Sequence, residues 1–249
     1  MKQRKFTLLE LLIAIAIIAI LMAVFLPALS KVRQKGYLIS CQNNLRQIGL
    51  DYAGYAVDNS DYYVIGEAGV HNKMHWAGEL YYKRFFNDAG VQTANPRFRL
   101  VSCPKAVQTF RNEDFVPAKT YGVKSHFWGD EYELECAGGI PTMHDPANNY
   151  SKTLDLRKIR TASRYFFLAD SISLQTDPGY PRFRIHGNGG TGFHLLHLGQ
   201  ANLLFIDGHT EARNRASLAY LLRNADPAKA GTLASLIREE DWTISLMGE

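Results

Sequence analysis

The apolar residues of this chain are concentrated at its N-terminus. Residues Leu11–Leu26 have no polar side chain, and the wider segment Phe6–Leu29 contains only two polar residues, Thr7 and Glu10. A helix rises about 1.5 Å per residue, so the wider segment would extend roughly 36 Å and exceed a hydrocarbon layer of about 30 Å. The pattern predicts a membrane-spanning helix over residues 6–29.

After Pro27 the pattern becomes amphipathic. Apolar residues recur at alternating spacings of three and four, the stripe of an amphipathic helix: Leu38, Cys41, Leu45, Ile48, Tyr52 and Tyr55. We expect the same helix to continue over residues 30–58, with a kink at Pro27, and to end at the turn-forming cluster 58–60. The alternative is two helices separated at Gly36.

Residues 59–249 have short apolar segments between Gly, Asn and Pro, which indicates a globular domain of short strands and long loops. We expect a single antiparallel sheet packed on the amphipathic half of the long helix, and therefore an α+β fold. The predicted strands are Leu100–Ser102, Tyr121–Val123, Tyr165–Ala169, Ala201–Ile206 and a return strand His209–Arg213, with helices at Arg215–Arg223 and Gly231–Glu240.

Charge and cysteine content exclude several classes of protein. Three of the 28 basic residues lie in the leader, residues 1–5, and the rest of the chain is almost neutral, which argues against nucleic-acid binding. The basic leader predicts a cytoplasmic N-terminus and a domain on the outer side of the inner membrane. Three cysteines are too few for a disulfide scaffold or an all-cysteine zinc site.

The carboxylate of Glu10 lies in the apolar segment, where a negative charge is costly. Three interpretations compete. A secretory signal could be cleaved near Ala28–Ser30, leaving Lys31 as the first residue. The segment could be a plain anchor, which leaves Glu10 unexplained. It could also be an assembly helix in which Glu10 meets a cation from a neighbouring copy.

The segment Lys5–Leu12, with its basic flank, resembles the signal of type IV pilins and type II secretion pseudopilins. The resemblance implies that a prepilin peptidase cuts before Phe6 and methylates the new amine. It also implies that Glu10 pairs with the terminal amine of an adjacent subunit and that Pro27 is the kinking proline. Lys5 stands where that family has Gly.

A second motif, His197 followed after nine residues by Asp207–Gly208, resembles the H-x9-D-G segment of a pilin-like family abundant in planctomycete- and lentisphaera-type bacteria. The residues between them predict a buried strand, and Asp207–Gly208 predicts a tight turn. His197 and Asp207 would then lie more than about 20 Å apart, too far for a catalytic dyad.

Other side chains offer weaker candidates. Cys41 and Cys103 could form a disulfide if the domain lies in an oxidising compartment, leaving Cys136 free; the alternative is three buried thiols. A metal could be held by residues of the C-terminal region, with His194 and His197 on one helical turn: His186, His194, His197, Asp207 and His209. Their spacing is looser than in zinc sites, so we predict no metal and no cofactor. The glycine-rich segment 187–192 is expected to be a surface loop.

The function favoured by the sequence is a non-catalytic structural subunit of a type II secretion pseudopilus or a type IV pilus-like filament. Its expected partners are a prepilin peptidase, the inner membrane and other pilin or pseudopilin subunits, identical or different. One alternative is a membrane-anchored binding protein for a polysaccharide or another polymer, using aromatic residues such as Trp76 and Trp128. Another is an anchored hydrolase that uses the His-rich C-terminal region.

Overall fold

The computed structural model describes residues 7–64, 80, 100–101, 103–105, 121–125, 142–145, 150–173, 182–184, 191–223 and 237–239. The chain divides into two compact units, residues 1–36 and residues 37–249. The predicted α+β class is confirmed: a long N-terminal helix contributes its second half to a domain built on β-sheet.

Helix α1 runs without interruption over Leu8–Asp58 and contains Pro27. The alternative of two helices separated at Gly36 is therefore wrong. The helix begins two residues later than predicted and ends at the predicted cluster, where Ser60 and Asp61 adopt φ values of 54° and 63°.

In the first unit, the large apolar side chains from Leu8 to Leu29 are between 50% and 82% exposed. This part of α1 is long and apolar enough to cross a membrane. An apolar surface of this extent requires lipid or other protein to cover it.

In the second unit, α1 buries the side of the helix that the apolar spacing predicted. Cys41, Leu45, Ile48 and Tyr52 are fully buried, whereas Leu38 and Tyr55 at the ends of the stripe are partly buried. Gly49 is also buried, and a Cβ at this position would lie 3.1 Å from Leu204 Cδ1. The absence of a side chain at Gly49 therefore lets the helix approach the sheet closely.

The described strands form two sheets. In chain order the elements after α1 are β1 (Tyr62–Val64), β2 (Tyr121–Ser125), β3 (Thr142–Asp145), β4 (Tyr150–Asp155), β5 (Phe166–Ser173), β6 (Arg182–Arg184), β7 (Thr191–Leu195), β8 (Gln200–Phe205), β9 (Thr210–Asn214), α2 (Arg215–Arg223) and β10 (Ile237–Glu239). A 3-10 turn at Leu156–Lys158 follows β4. The smaller sheet has the order β1-β4-β3 and is antiparallel.

Strand β5 is the centre of the larger sheet and pairs with β2, β7 and β8, all antiparallel. Strand β9 continues from β8, whereas β6 pairs in parallel with β2 and β10 in parallel with β7. The prediction of a single, wholly antiparallel sheet is therefore wrong in the number of sheets and in these two pairings.

Two predicted elements are wrong at their described positions. Leu100 and Val101 lie in a turn instead of a strand, although Val101 is buried, so their apolar character reflects core packing without strand pairing. Ile237–Glu239, expected to be helical, forms β10, because pairing with β7 outweighs the local helical preference. Ser102 and the rest of the segment 231–240 lie outside the described residues.

The other predicted elements are confirmed with small shifts of their ends. Strands β2, β5, β8 and β9 occupy the expected positions, and α2 has the predicted bounds. The glycine-rich segment is a partial exception, because Thr191 and Gly192 begin β7, and residues 187–190 lie outside the described residues.

Aromatic side chains join the helix to the sheets. The Tyr52 ring lies 4.8 Å from the Tyr63 ring and 5.1 Å from the Phe167 ring, the latter edge-on. Such pairs are stable arrangements beyond the area that they bury. Helix α1, strand β1 and strand β5 therefore share one core, which fixes the position of Cys41 on the helix relative to β5.

Candidate functional site

The first candidate site is the N-terminus of α1. The Thr7 backbone N–H and hydroxyl donate to Glu10 Oε2 at 2.9 Å and 2.7 Å, and the Glu10 N–H donates to Thr7 Oγ1 at 3.3 Å. This reciprocal arrangement is a capping box, which satisfies N–H groups that have no partner within the helix. Glu10 therefore lies in the first turn of α1 and has a local role that the sequence analysis did not identify, although Thr-x-x-Glu is its signature.

The capping box leaves part of the Glu10 carboxylate available. Both bonds from Thr7 end on Oε2, and no described residue donates to Oε1. A carboxylate in the first turn also interacts favourably with the positive end of the helix dipole. Glu10 can therefore cap its own helix and still accept a bond from a cation outside the chain. Lys5 and Phe6 lie outside the described residues.

The second candidate site is a buried cluster of four side chains in the second unit: Cys41, Cys103, Asp170 and His197. One potential ligand atom from each lies within 4.8 Å of all the others. Cys41 Sγ lies 2.9 Å from Cys103 Sγ, Cys103 Sγ lies 3.3 Å from His197 Nε2, and that nitrogen lies 3.6 Å from Asp170 Oδ2. No side chain in the cluster is more than 2% exposed.

Each member of the cluster is held by a different element. Cys41 lies on α1, Asp170 on β5, Cys103 just before Pro104, and His197 in the turn between β7 and β8. That turn is closed by His197 and Gln200, which exchange backbone bonds of 3.1 Å and 3.0 Å. Leu198 and Gly199 between them adopt positive φ of 54° and 72°, as in the tight turns that suit twisted hairpins.

The carboxylate of Asp170 is oriented by the adjacent strand. Asn202 on β8 donates its backbone N–H to Asp170 Oδ2 at 2.7 Å. Asp170 Oδ1 and His197 Nδ1 are buried and have no hydrogen-bond partner among the described residues. Two polar atoms of the cluster therefore lack the partners that buried groups normally have.

Burial controls the protonation of these groups. It raises the pKa of Asp170 to about 7, against the opposing effect of the hydrogen bond from the Asn202 backbone. Burial, together with the positive charge of Lys105, lowers the pKa of His197 to about 3. His197 is therefore neutral at pH 7, so its contact with Asp170 is not an ion pair. Burial also raises the pKa of Cys41 far above its usual range, so its neutral thiol is favoured.

The two ends of the H-x9-D-G segment lie in different environments. His197 is buried beside Asp170, whereas the half-exposed Asp207 pairs with His209, its Oδ1 lying 2.5 Å from Nδ1. Strand β8 lies between them along the chain, and each has a different partner. Gly208 forms the predicted tight turn with φ of 87°, and its N–H bonds to the Phe205 carbonyl.

The metal-ligand set considered from the sequence differs from the cluster in the structure. His194 lies in β7, so His194 and His197 do not share a helical turn. His186 lies outside the described residues, as do Cys136, Trp76 and Trp128. The sequence predicted the proximity of Cys41 and Cys103, whereas the position of Asp170 and His197 beside them was not predicted. In the sequence, Asp170 directly follows the apolar run Tyr165–Ala169, and a carboxyl group beside such a run was the available signal.

Cys41 and Cys103 are adjacent but carry no covalent bond in the structure. Their sulfur atoms are farther apart than the roughly 2.05 Å of a disulfide bond. The disulfide suggested by the sequence therefore stays a prediction.

A comparison with protein families gives a match at the N-terminus. Residues 1–26 match the family model described as the prokaryotic N-terminal methylation motif. This match supports the type IV pilin-like character of the N-terminus and its processing by a prepilin peptidase, and it covers about a tenth of the chain. No match was found among curated proteins or solved structures. The resemblance of the H-x9-D-G segment to a particular pilin-like family remains a prediction.

Proposed function

We propose that this protein is a structural subunit of a type II secretion pseudopilus or a type IV pilus-like filament, cut before Phe6 and assembled through α1. The observation that carries the proposal is the methylation motif at residues 1–26, which coincides with an apolar helix whose side chains are exposed. In a filament, identical helices from neighbouring subunits would cover the surface that lipid covers before assembly.

In this proposal, Glu10 sets the axial position of one subunit relative to its neighbour. Its Oε1 accepts no bond from the described residues, so it can accept one from the methylated amine of Phe6 in a neighbouring subunit. A carboxylate and an ammonium group form a charge-assisted hydrogen bond. Their attraction is stronger in an apolar environment, because water does not screen the two charges. The ion pair would favour the one axial offset between neighbouring helices that brings the carboxylate and the amine together.

The basic leader supports the proposed orientation. Lys2, Arg4 and Lys5 would keep the N-terminus in the cytoplasm until cleavage, which places the second unit on the outer face of the inner membrane. The prepilin peptidase would then act at the cytoplasmic end of the span.

We further propose that the protein is not an enzyme. The cluster around His197 is closed to solvent, so a substrate has no access to it, and the exposed Asp207–His209 pair belongs to a hairpin turn. The hydrolase alternative therefore gains no support from the geometry of the described residues. The alternative of polymer binding depends on Trp76 and Trp128, which lie outside them.

The proposal is tested by separating the two roles of Glu10. Glu10→Gln should still enter the membrane, since a neutral amide is less costly there, but should assemble at least about tenfold less, equivalent to about 1.4 kcal/mol. The assembled fraction is measured by shearing cells that express the protein with its secretion or pilus machinery and sedimenting the filaments.

Thr7→Val is the matched control for this experiment. It removes the hydroxyl bond to Glu10 Oε2 and weakens the cap by about 1 kcal/mol, but it keeps the carboxylate. We expect this variant to assemble nearly as well as the native protein. Native-like assembly of Glu10→Gln, or loss of assembly in Thr7→Val alone, would contradict the pairing role.

A further inference from the structure

The buried cluster of Cys41, Cys103, Asp170 and His197 combines the donor types of a structural metal site. We propose that these four side chains bind one zinc ion that links the second half of α1 to the sheet. Nothing in this inference depends on filament assembly, so either proposal can fail without the other.

Two of the distances between the donors match tetrahedral coordination. Zinc binds sulfur at about 2.3 Å and nitrogen or oxygen at about 2.0–2.2 Å, so tetrahedral ligands lie roughly 3.3–3.8 Å from one another. The 3.3 Å between Cys103 Sγ and His197 Nε2 and the 3.6 Å between His197 Nε2 and Asp170 Oδ2 fall in this range. The two sulfur atoms, 2.9 Å apart, would have to separate by somewhat less than about 1 Å.

The chemistry of the donors suits zinc. Two thiolates and an imidazole favour zinc over calcium and magnesium, which prefer sets of oxygen ligands. Four protein ligands leave no open position for a substrate or a reactive water, as in structural zinc sites. Complete burial of all four residues agrees with a structural role.

The charges of the site would be nearly balanced. Two thiolates and one carboxylate contribute three negative charges, of which zinc cancels two. Lys105 lies close by, with its Nζ donating to the Leu196 carbonyl at 2.6 Å, and can compensate the remaining charge. The backbone N–H of Asn202 donates to Asp170 Oδ2 and so orients the carboxylate toward the other donors.

A disulfide would use only part of this cluster. A Cys41–Cys103 bond would leave the Asp170 carboxylate and the His197 ring buried beside it, 3.6 Å apart, with no part in the bond. Zinc binding and disulfide formation require the same two sulfur atoms and exclude each other. The presence of all four donors within 4.8 Å is the reason to favour zinc.

The first test measures metal and thiol state together on the full chain. The Cys136→Ser variant, which keeps only Cys41 and Cys103 as cysteines, is purified in detergent without reductant or chelator. We expect stoichiometric zinc by elemental mass spectrometry and two thiols that react with an alkylating reagent only after chelation and unfolding. A chain lighter by two hydrogen atoms with a Cys41–Cys103 disulfide peptide, or a reduced chain without zinc, overturns the proposal.

The second test identifies the ligands. Asp170→Asn and His197→Gln should each lower bound zinc at least tenfold, whereas His209→Gln, at a half-exposed histidine outside the cluster, should keep it. Retention of zinc in both cluster variants overturns the proposal.

Because a cluster variant can fail to fold, a parallel measurement uses the Cys136→Ser chain produced with cobalt in place of zinc. Tetrahedral cobalt with two thiolate ligands gives strong visible bands and a sulfur-to-metal charge-transfer band. Folded protein that lacks these bands contradicts the assignment of the ligands.

Discussion

Replacing Tyr52 by Ala should destabilise the second unit strongly, because this side chain joins α1 to both sheets. Tyr52 is fully buried and contacts the rings of Tyr63 and Phe167 at 4.8 Å and 5.1 Å. Removing a buried aromatic side chain costs about 3–5 kcal/mol through lost transfer energy and the cavity that remains. We take about 4 kcal/mol as the expected loss, a large part of the 5–15 kcal/mol that is usual for a folded domain.

The loss is measured by urea and thermal unfolding of the full chain in detergent, followed by near-ultraviolet circular dichroism, which reports the packing of aromatic rings. For a unit of this size, about 4 kcal/mol corresponds to a decrease in Tm of roughly 8–16 °C. Tyr52→Phe should retain most of the stability, since it keeps the ring contacts.

Tyr220→Ala is the control, because this tyrosine on α2 is 67% exposed. Its substitution should change stability by less than about 0.5 kcal/mol. A loss below about 1 kcal/mol in Tyr52→Ala, or equal losses at the two positions, would refute the inclusion of residues 37–58 of α1 in the core of the domain.

Three further predictions concern single positions. Gly208→Ala should destabilise the protein by about 1–2 kcal/mol, because Gly208 in the β8–β9 turn has a φ of 87°. Gly54→Ala, at a position of α1 with open space around it, should leave the stability unchanged or increase it by up to about 1 kcal/mol. The urea midpoints of the two variants should therefore shift in different directions. Lys5→Gly, which restores the residue of the prepilin signal, should increase the cleaved fraction seen by gel mobility and mass spectrometry, and unchanged cleavage would argue against this signal. Hydrogen bonds and charge from Arg157 lower the pKa of Asp155, so the stability that this contact adds should be present above pH 3.8 and be lost at lower pH; Asp155→Asn should flatten the acid limb of the urea-midpoint profile.

Local patterns were sufficient to predict helices α1 and α2 and the central strands. The spacing of Cys41, Leu45, Ile48 and Tyr52 gives the buried side of α1, because a helical repeat requires nothing beyond neighbouring turns. Likewise, the apolar run before Asp207–Gly208 gives both β8 and its turn. Each of these two patterns lies within fewer than twenty consecutive residues, so it can be recognised without knowledge of the tertiary structure.

The arrangement of the strands depends on contacts that local patterns do not contain. The short segment Ile237–Glu239 is a strand only because β7 offers it an edge, and the parallel pairing of β2 with β6 joins segments nearly sixty residues apart. The buried cluster has the same origin: the register of β5 against β8 sets Asp170 beside Asn202, and the tight turn at Leu198–Gly199 holds His197 near them.

The identity of the first residue of the mature protein tests the account most directly. Intact-mass and N-terminal peptide analysis of the protein from its native membrane should find a chain that begins with N-methylated Phe6 and retains Glu10. A mature chain that begins at Lys31, or one that keeps Met1 in cells with an active prepilin peptidase, would contradict assembly through α1.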